Sequence, residues 1–171
     1  MVDARPHWEW RTRLTPRLGF LLGFLFCVGL LAVAAWLQFV QGLEPCPLCI
    51  TQRVFVLLAG LVLCAAAWHN PQRLGRRIYA TFAAALALGG ATVSARHVWL
   101  QHLPEEEVPA CGPGLSYVFE HLPLTETLKL LVSGTGECSK IDWVFLGLSI
   151  PGWTLIAFLL LAGWSLWNGW R

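Results

Sequence analysis

Apolar residues fall in four long runs along the chain, and all charged residues but one lie outside these runs. Crossing the hydrocarbon core of a bilayer takes a helix of roughly 20 apolar residues. The pattern therefore predicts four membrane-spanning helices, over about residues 18–40, 50–68, 78–95 and 143–167. We expect the whole chain, residues 1–171, to form a single membrane domain of the all-α class, a four-helix bundle.

The second run is the shortest, because its uncharged part covers only residues 54–68. At about 1.5 Å per residue, that part cannot span a bilayer by itself. Its helix must therefore begin near Ile50, which places Arg53 in the first turn at the membrane edge. A basic residue there costs free energy and usually has a function. A simple anchor that extends its charge to the membrane surface is the alternative.

The composition supports a membrane protein, since 56% of the 171 residues are hydrophobic, 13% are charged and the mean hydropathy is +0.58. A typical soluble domain has about 25% charged residues. Such a chain cannot cover a soluble surface of its own, which excludes a cytosolic enzyme and a secreted disulfide-rich miniprotein. We expect the lipid bilayer to surround it, and we expect no nucleic acid among its partners.

The distribution of Lys and Arg predicts the orientation of the chain. Eight of the twelve basic residues lie before the first run, between the second and third runs, or at the C-terminus. Cytoplasmic segments carry the excess of Lys and Arg in membrane proteins. Both termini are therefore predicted to be cytoplasmic, and the loops of residues 41–49 and 96–142 are predicted to face outward.

Part of the long outer loop has a helical pattern of apolar residues. Leu124, Leu128, Leu131 and Val132 recur at helical spacing, and Gly134 is a helix stop signal. The pattern predicts a short amphipathic helix on the outer membrane surface. An ordinary loop helix that packs against the spans fits the pattern equally well.

Six cysteines divide between the spans and the outer loops. Two lie within spans, where a cysteine usually acts as a small apolar residue: Cys27 and Cys64. Four lie in the outer loops: Cys46, Cys49, Cys111 and Cys138. Disulfides persist on the outer face of a membrane. Four cysteines allow three pairings, and the sequence does not choose among them.

Cys46 and Cys49 form a Cys-x-x-Cys motif, whose short spacing allows a readily reduced disulfide. Cys49 is predicted at the N-terminus of the second helix, where the helix dipole favours a thiolate. Arg53 lies one turn further along the same face. This arrangement predicts a reactive thiol, whereas purely structural disulfides would leave Arg53 unexplained. A four-cysteine zinc site is disfavoured, because Cys111 and Cys138 are not closely spaced.

His97 is predicted just beyond the outer end of the third span. A histidine at that place is commonly an interfacial polar residue. The functional alternative is a second polar group that faces the same pocket as Arg53.

These features together resemble the disulfide bond formation protein B family, the quinone-coupled thiol oxidases of bacterial inner membranes. The resemblance covers about residues 18–167. Its specific segments are residues 46–53 (CPLCITQR), residues 97–101 (HVWLQ) and residues 142–148 (DWVFLGL), which follow Cys138.

The resemblance implies that a periplasmic DsbA-type thiol oxidase attacks Cys111, and that Cys138, the other half of that pair, exchanges with Cys46. Cys49 would then face a bound ubiquinone from the membrane quinone pool, or menaquinone under anaerobic conditions. Arg53 would stabilise negative charge, and His97 would lie near the quinone ring. No metal site is implied.

Two alternatives belong to other classes. One is a quinone reductase of the vitamin K epoxide reductase type, but in that family the Cys-x-x-Cys motif follows the loop pair, whereas here it precedes it. The other is a membrane protein that two outer disulfides merely stabilise, with no enzymatic activity.

Overall fold

Four long helices form the described part of the molecule, as the sequence predicts. The computed structural model describes residues 15–107, 123, 125, 131–141 and 143–171. Each helix is long and apolar enough to cross a bilayer, which makes this an integral membrane protein. In chain order they are α1 (Pro16–Phe39), α2 (Pro47–His69), α3 (Arg73–Leu100) and α4 (Ile150–Trp170).

Local chemistry explains where the helices begin and end. A proline stands in the first turn of α1, α2 and α4. Proline lacks a backbone N–H, and this costs nothing here because an N–H in the first turn of a helix has no intrahelical partner. The hydroxyl of Thr15 also accepts a hydrogen bond from the backbone N–H of Leu18, which caps α1. At the far end of α2, Asn70 adopts a left-handed conformation, with φ 43°, and ends the helix.

Small residues bring the helices close together. The most extensive contact joins α3 and α4, while α2 packs between α1 and α3. Gly90 lies against the ring of Phe158, where an added Cβ would stand 2.3 Å from a ring carbon, and Gly169 lies equally close to Ala80. Such positions let two helix backbones approach within a membrane. The core therefore combines many alanines with a few larger side chains, such as Phe20, Leu63 and Phe158.

The beginning of the fourth helix differs from the prediction. A short hairpin precedes it, in which β1 (Val144–Phe145) pairs with β2 (Leu148–Ser149). Leu146 and Gly147 form the turn with positive φ angles, as tight hairpins require. The helix thus begins at Ile150 rather than near Trp143. Apolar content alone does not separate a hairpin from a helix.

The long loop is described only in part, and Leu124 and Leu128 of the predicted amphipathic helix lie outside the described residues. Residues 131–133 are helical, and the chain turns at Gly134 with φ 80°. The Thr51 hydroxyl donates to the carbonyl of Leu131, and Arg96 donates to the carbonyl of Ser133. This part of the loop is therefore held against α2 and α3, as a packed loop helix would be. Two 3-10 turns, Glu105–Glu107 and Gly136–Ser139, complete the described loop.

Candidate functional site

Cys46 and Cys49 lie at the start of α2. Cys46 is the residue that caps the helix, and Pro47 follows it in the first turn. The two sulfurs lie 3.3 Å apart, and both are free thiols. Helical spacing of three residues brings them onto one face. The pair is therefore placed to form a disulfide with little movement, as a Cys-x-x-Cys motif allows.

Cys138 joins this pair from the distant loop. It lies in the Gly136–Ser139 turn and is only 1% exposed. The turn packs on the ends of α2 and α3, where Cys138 belongs to one buried cluster with Leu48 and Leu100. As a result, the sulfurs of Cys46 and Cys138 and a ring nitrogen of His97 all lie within 4.8 Å of one another.

The surroundings of Cys138 favour its protonated form. Its contact with Cys46 raises the pKa of the Cys138 thiol above the ordinary cysteine value, and burial raises this pKa further. A thiol that stays protonated is a weak nucleophile. In this fully reduced state, Cys138 is therefore a poor attacking sulfur, whereas a Cys138 thiolate released from a disulfide still carries the charge needed for attack.

His97 is a buried residue of α3 rather than a residue beyond its end. It lies in the last turn of the helix and is 3% exposed. Its Nε2 lies 3.8 Å from the Cys46 sulfur, and its Nδ1 lies 3.2 Å from Nε2 of Gln52 on α2. The helix continues past residue 95, which brings the imidazole inside the bundle. His97 thus faces the thiols.

Arg53 points toward α1. Its guanidinium donates hydrogen bonds to Oε1 of Gln38 and, at 3.1 Å, to the carbonyl of Ala34. Ala34 lies a full turn inside the end of α1, so the side chain does not extend to the surface as a membrane anchor would. The guanidinium is instead fixed between two helices.

Two cavities meet at Cys49. The first, of about 630 Å³, has polar walls that include Glu44, Gln101 and Lys140, together with Cys46 and His97. The second, of about 550 Å³, lies between α1, α2 and α4 and has mostly apolar walls, with Gln52 and Arg53 among its few polar residues. Of the described cysteines, Cys49 alone lines both.

The structure thus brings together most of the residues singled out from the sequence, while Cys111 lies outside the described residues. Cys27 is buried between α1 and α2, as expected of an apolar position. Sequence reasoning missed Gln52 and Gln38, the partners of His97 and Arg53. Each is an uncharged polar residue in an otherwise apolar helix, and this isolated polarity is the sequence signal that could have identified them.

Comparison with known proteins identifies the family. The family model described as "Disulfide bond formation protein DsbB" matches residues 16–168. The chain belongs to the DsbB family. A disulfide bond formation protein B of Methylococcus capsulatus is 62% identical over 155 residues, which are 91% of this chain and 94% of the relative. The Nitrosococcus oceani protein of the same name is 54% identical over 156 residues, covering 91% and 92% of the two chains.

A more distant relative, disulfide bond formation protein B 1 of Pseudomonas aeruginosa, is 45% identical over 152 residues, covering 89% of this chain and 93% of the relative. Membership in the DsbB family makes this chain a disulfide oxidoreductase. It sets aside both the vitamin K epoxide reductase-type enzyme and the non-enzymatic disulfide-stabilised protein.

Proposed function

We propose that this DsbB-family protein is a thiol:quinone oxidoreductase of the bacterial inner membrane. It would reoxidise a periplasmic DsbA-type thiol oxidase and deliver the electrons to ubiquinone from the membrane pool. The position of Cys49 between the two cavities carries this proposal. The Cys49 sulfur can form and break a disulfide with Cys46 on the polar side, and it can react with a lipid-soluble acceptor on the apolar side.

On the polar side, the proposed electron path runs through neighbouring sulfurs. A thiolate of the reduced partner attacks Cys111 of a Cys111–Cys138 disulfide and releases Cys138 as a thiolate. The second thiol of the partner then displaces Cys111, so that the partner leaves as a disulfide. The Cys138 thiolate attacks Cys46 of a Cys46–Cys49 disulfide and releases Cys49; the sulfurs of Cys138 and Cys46 lie within 4.8 Å of each other. Cys111 then attacks Cys138, which restores their disulfide and frees Cys46. Cys46 and Cys49, 3.3 Å apart, now hold the electron pair as a dithiol, and its oxidation by the acceptor re-forms their disulfide. Thiol–disulfide exchange needs this kind of direct sulfur-to-sulfur approach.

On the apolar side, the cavity fits the head group of a quinone. Its volume of about 550 Å³ lies within the roughly 300–1,000 Å³ range of small-molecule sites, and its walls combine many apolar residues with few polar ones. Arg53 would hold a quinone oxygen and favour negative charge there. A bound quinone supplies the acceptor for two electrons and two protons. His97 lines the polar cavity, where we assign it the role of exchanging a proton with the Cys46 thiol.

The proposed orientation follows the charge distribution. Both termini would be cytoplasmic, and the Cys46 loop and the long loop would face the periplasm. In that arrangement the polar cavity opens toward the partner protein, and the apolar cavity lies at the depth of the lipid.

A spectrophotometric assay tests the function. The purified protein in detergent is mixed with a reduced DsbA-type oxidase and a soluble ubiquinone analogue, and the loss of quinone absorbance is followed. Cys49→Ala should abolish turnover. Cys64→Ala, on the same helix and away from both cavities, is the matched control and should keep it. Equal turnover by the two variants would disprove the role of Cys49.

A further inference from the structure

We propose that the reduced protein binds a thiophilic cation, such as Zn²⁺, through the sulfurs of Cys46 and Cys138 and the imidazole of His97. The three side chains come from three separate elements. Cys46 caps α2, Cys138 lies in the Gly136–Ser139 turn, and His97 lies in the last turn of α3. The proposal requires only that the thiols be free, so it does not depend on electron transfer to quinone.

The distances suit tetrahedral coordination. Zinc binds sulfur at about 2.3 Å and nitrogen at about 2.0–2.1 Å, so its ligand atoms stand roughly 3.5–3.8 Å apart. The Cys46 sulfur and Nε2 of His97 are 3.8 Å apart, and all three ligand atoms lie within 4.8 Å. Closing the site around a cation therefore needs movements of no more than about 1 Å.

The chemistry of the ligand set selects the kind of cation. Thiolates with an imidazole prefer zinc and other soft cations, whereas magnesium and calcium prefer oxygen ligands. Cys46, His97 and Cys138 are all buried, with exposed fractions of 9%, 3% and 1%. Burial shields the site from competing water, while the polar cavity, which Cys46 and His97 line, offers a route of access and a fourth position for water.

Gln52 orients the histidine for this role. Its side-chain amide lies 3.2 Å from Nδ1 of His97, which leaves Nε2 facing the Cys46 sulfur. Histidine ligands commonly donate their second N–H to a neighbouring acceptor, which fixes the ring. A half-turn of the Gln52 amide presents its oxygen to Nδ1–H and completes that arrangement.

Cation binding would compete with disulfide formation. The two thiols lose their protons to solvent when they bind the metal. A sulfur bound in this way is not free to attack or to be attacked, so the cation would hold the protein in its reduced form. Zinc would therefore slow reoxidation reversibly, and a chelator would restore it.

Cobalt(II) is a suitable probe of the site. Added to the reduced protein in detergent without oxygen, it should give thiolate-to-cobalt charge-transfer absorption and the visible bands of a tetrahedral site, and Zn²⁺ should abolish both. Cys46→Ser and Cys138→Ser should each remove about half of the charge-transfer intensity, since two thiolates bind. Gln52→Leu should weaken zinc affinity about 10–100-fold.

Cys49→Ser and Cys64→Ser are the matched controls, and both should bind cobalt as the wild type does. Cys49→Ser should lack quinone turnover, so cation binding by this variant is read independently of the proposed function. The oxidised wild type, which needs no substitution, should not bind. An octahedral spectrum without charge-transfer absorption, or equal loss in Cys49→Ser and Cys46→Ser, would overturn the proposal.

Discussion

The Cys46 sulfur lies 3.8 Å from Nε2 of His97, although 51 positions separate the two residues in the chain. Cys46 caps the beginning of α2, and His97 lies in the last turn of α3, so the packing of these two helices creates the contact. Arg53, in contrast, is bonded to α1. The histidine therefore lies with the thiols and the arginine with the apolar cavity, as the proposed separation of thiol exchange from acceptor binding requires.

Removing the Arg53 charge should weaken use of the quinone. A hydrogen bond from a charged group contributes about 1.5–3 kcal/mol. Arg53→Ala should therefore raise the KM for a ubiquinone analogue roughly 10–100-fold, while formation of the mixed disulfide with the partner is unchanged. Steady-state assays at limiting quinone measure the KM, and trapping of the mixed disulfide measures the reaction with the partner.

Arg96→Ala is the matched control for Arg53→Ala. Arg96 lies near the end of α3 and donates to the carbonyl of Ser133, but it lines neither cavity. Its removal should leave the KM unchanged. Normal turnover of Arg53→Ala at limiting quinone would show that the role assigned to Arg53 is wrong.

Cys111→Ser should separate the two halves of the reaction. Without the sulfur that we propose the partner attacks, multiple turnovers with the reduced DsbA-type oxidase should stop. The chemically reduced variant should still oxidise its Cys46–Cys49 dithiol once, since the two sulfurs remain adjacent. Stopped-flow mixing with a quinone analogue measures this single turnover. Sustained turnover by Cys111→Ser would contradict the assignment of the first step.

The raised pKa of Cys138 predicts slow alkylation of its thiol at alkaline pH. At about pH 9 an ordinary cysteine is largely thiolate, but the contact with Cys46, followed by burial, keeps Cys138 protonated. Cys46→Ala removes the contact with Cys46, so the pKa of Cys138 should fall and alkylation of Cys138 should become faster. Mass spectrometry after timed alkylation measures the rate, and Cys64 should react equally in both proteins.

The same pKa difference has a consequence for stability. The pKa of Cys138 is raised in the folded protein. The protonated Cys138 thiol therefore makes its full contribution to the free energy of unfolding below the ordinary cysteine pKa, and this contribution is lost as the pH rises above that value. The thermal stability that Cys138→Ala loses relative to the wild type should therefore shrink at alkaline pH. Melting curves of both proteins at neutral and alkaline pH measure this difference, and a constant difference would contradict it.

Gly90→Ala should destabilise the bundle. The new Cβ would stand 2.3 Å from the ring of Phe158, so α3 and α4 would have to move apart. Overpacking of this kind costs about 1–3 kcal/mol and should lower the melting temperature in detergent. Gly163→Ala on α4 is the control, because nothing lies within 4 Å of its added Cβ. Equal melting temperatures for the two variants would contradict close packing at Gly90.

Much of the architecture follows from local sequence. Four apolar runs are long enough to span a bilayer, and this length requirement acts on each run separately. The proline of the Cys-x-x-Cys motif starts α2, so the placement of Cys49 in the first turn is also a local property. The start of α4 could not be predicted in this way, because the residues of the hairpin are as apolar as those of a helix.

The assembly of the site depends on how the helices and the long loop pack together. The pairing of Gln52 with His97 has no local signature in the sequence, and the contact of Cys138 with Cys46 is implied only by the family resemblance, since each joins residues from different elements. The direction of Arg53 likewise depends on the polar acceptors that α1 presents. Sequence pattern fixes each helix through local spacing and length, whereas the partners of a side chain depend on which helices pack together and at what depth.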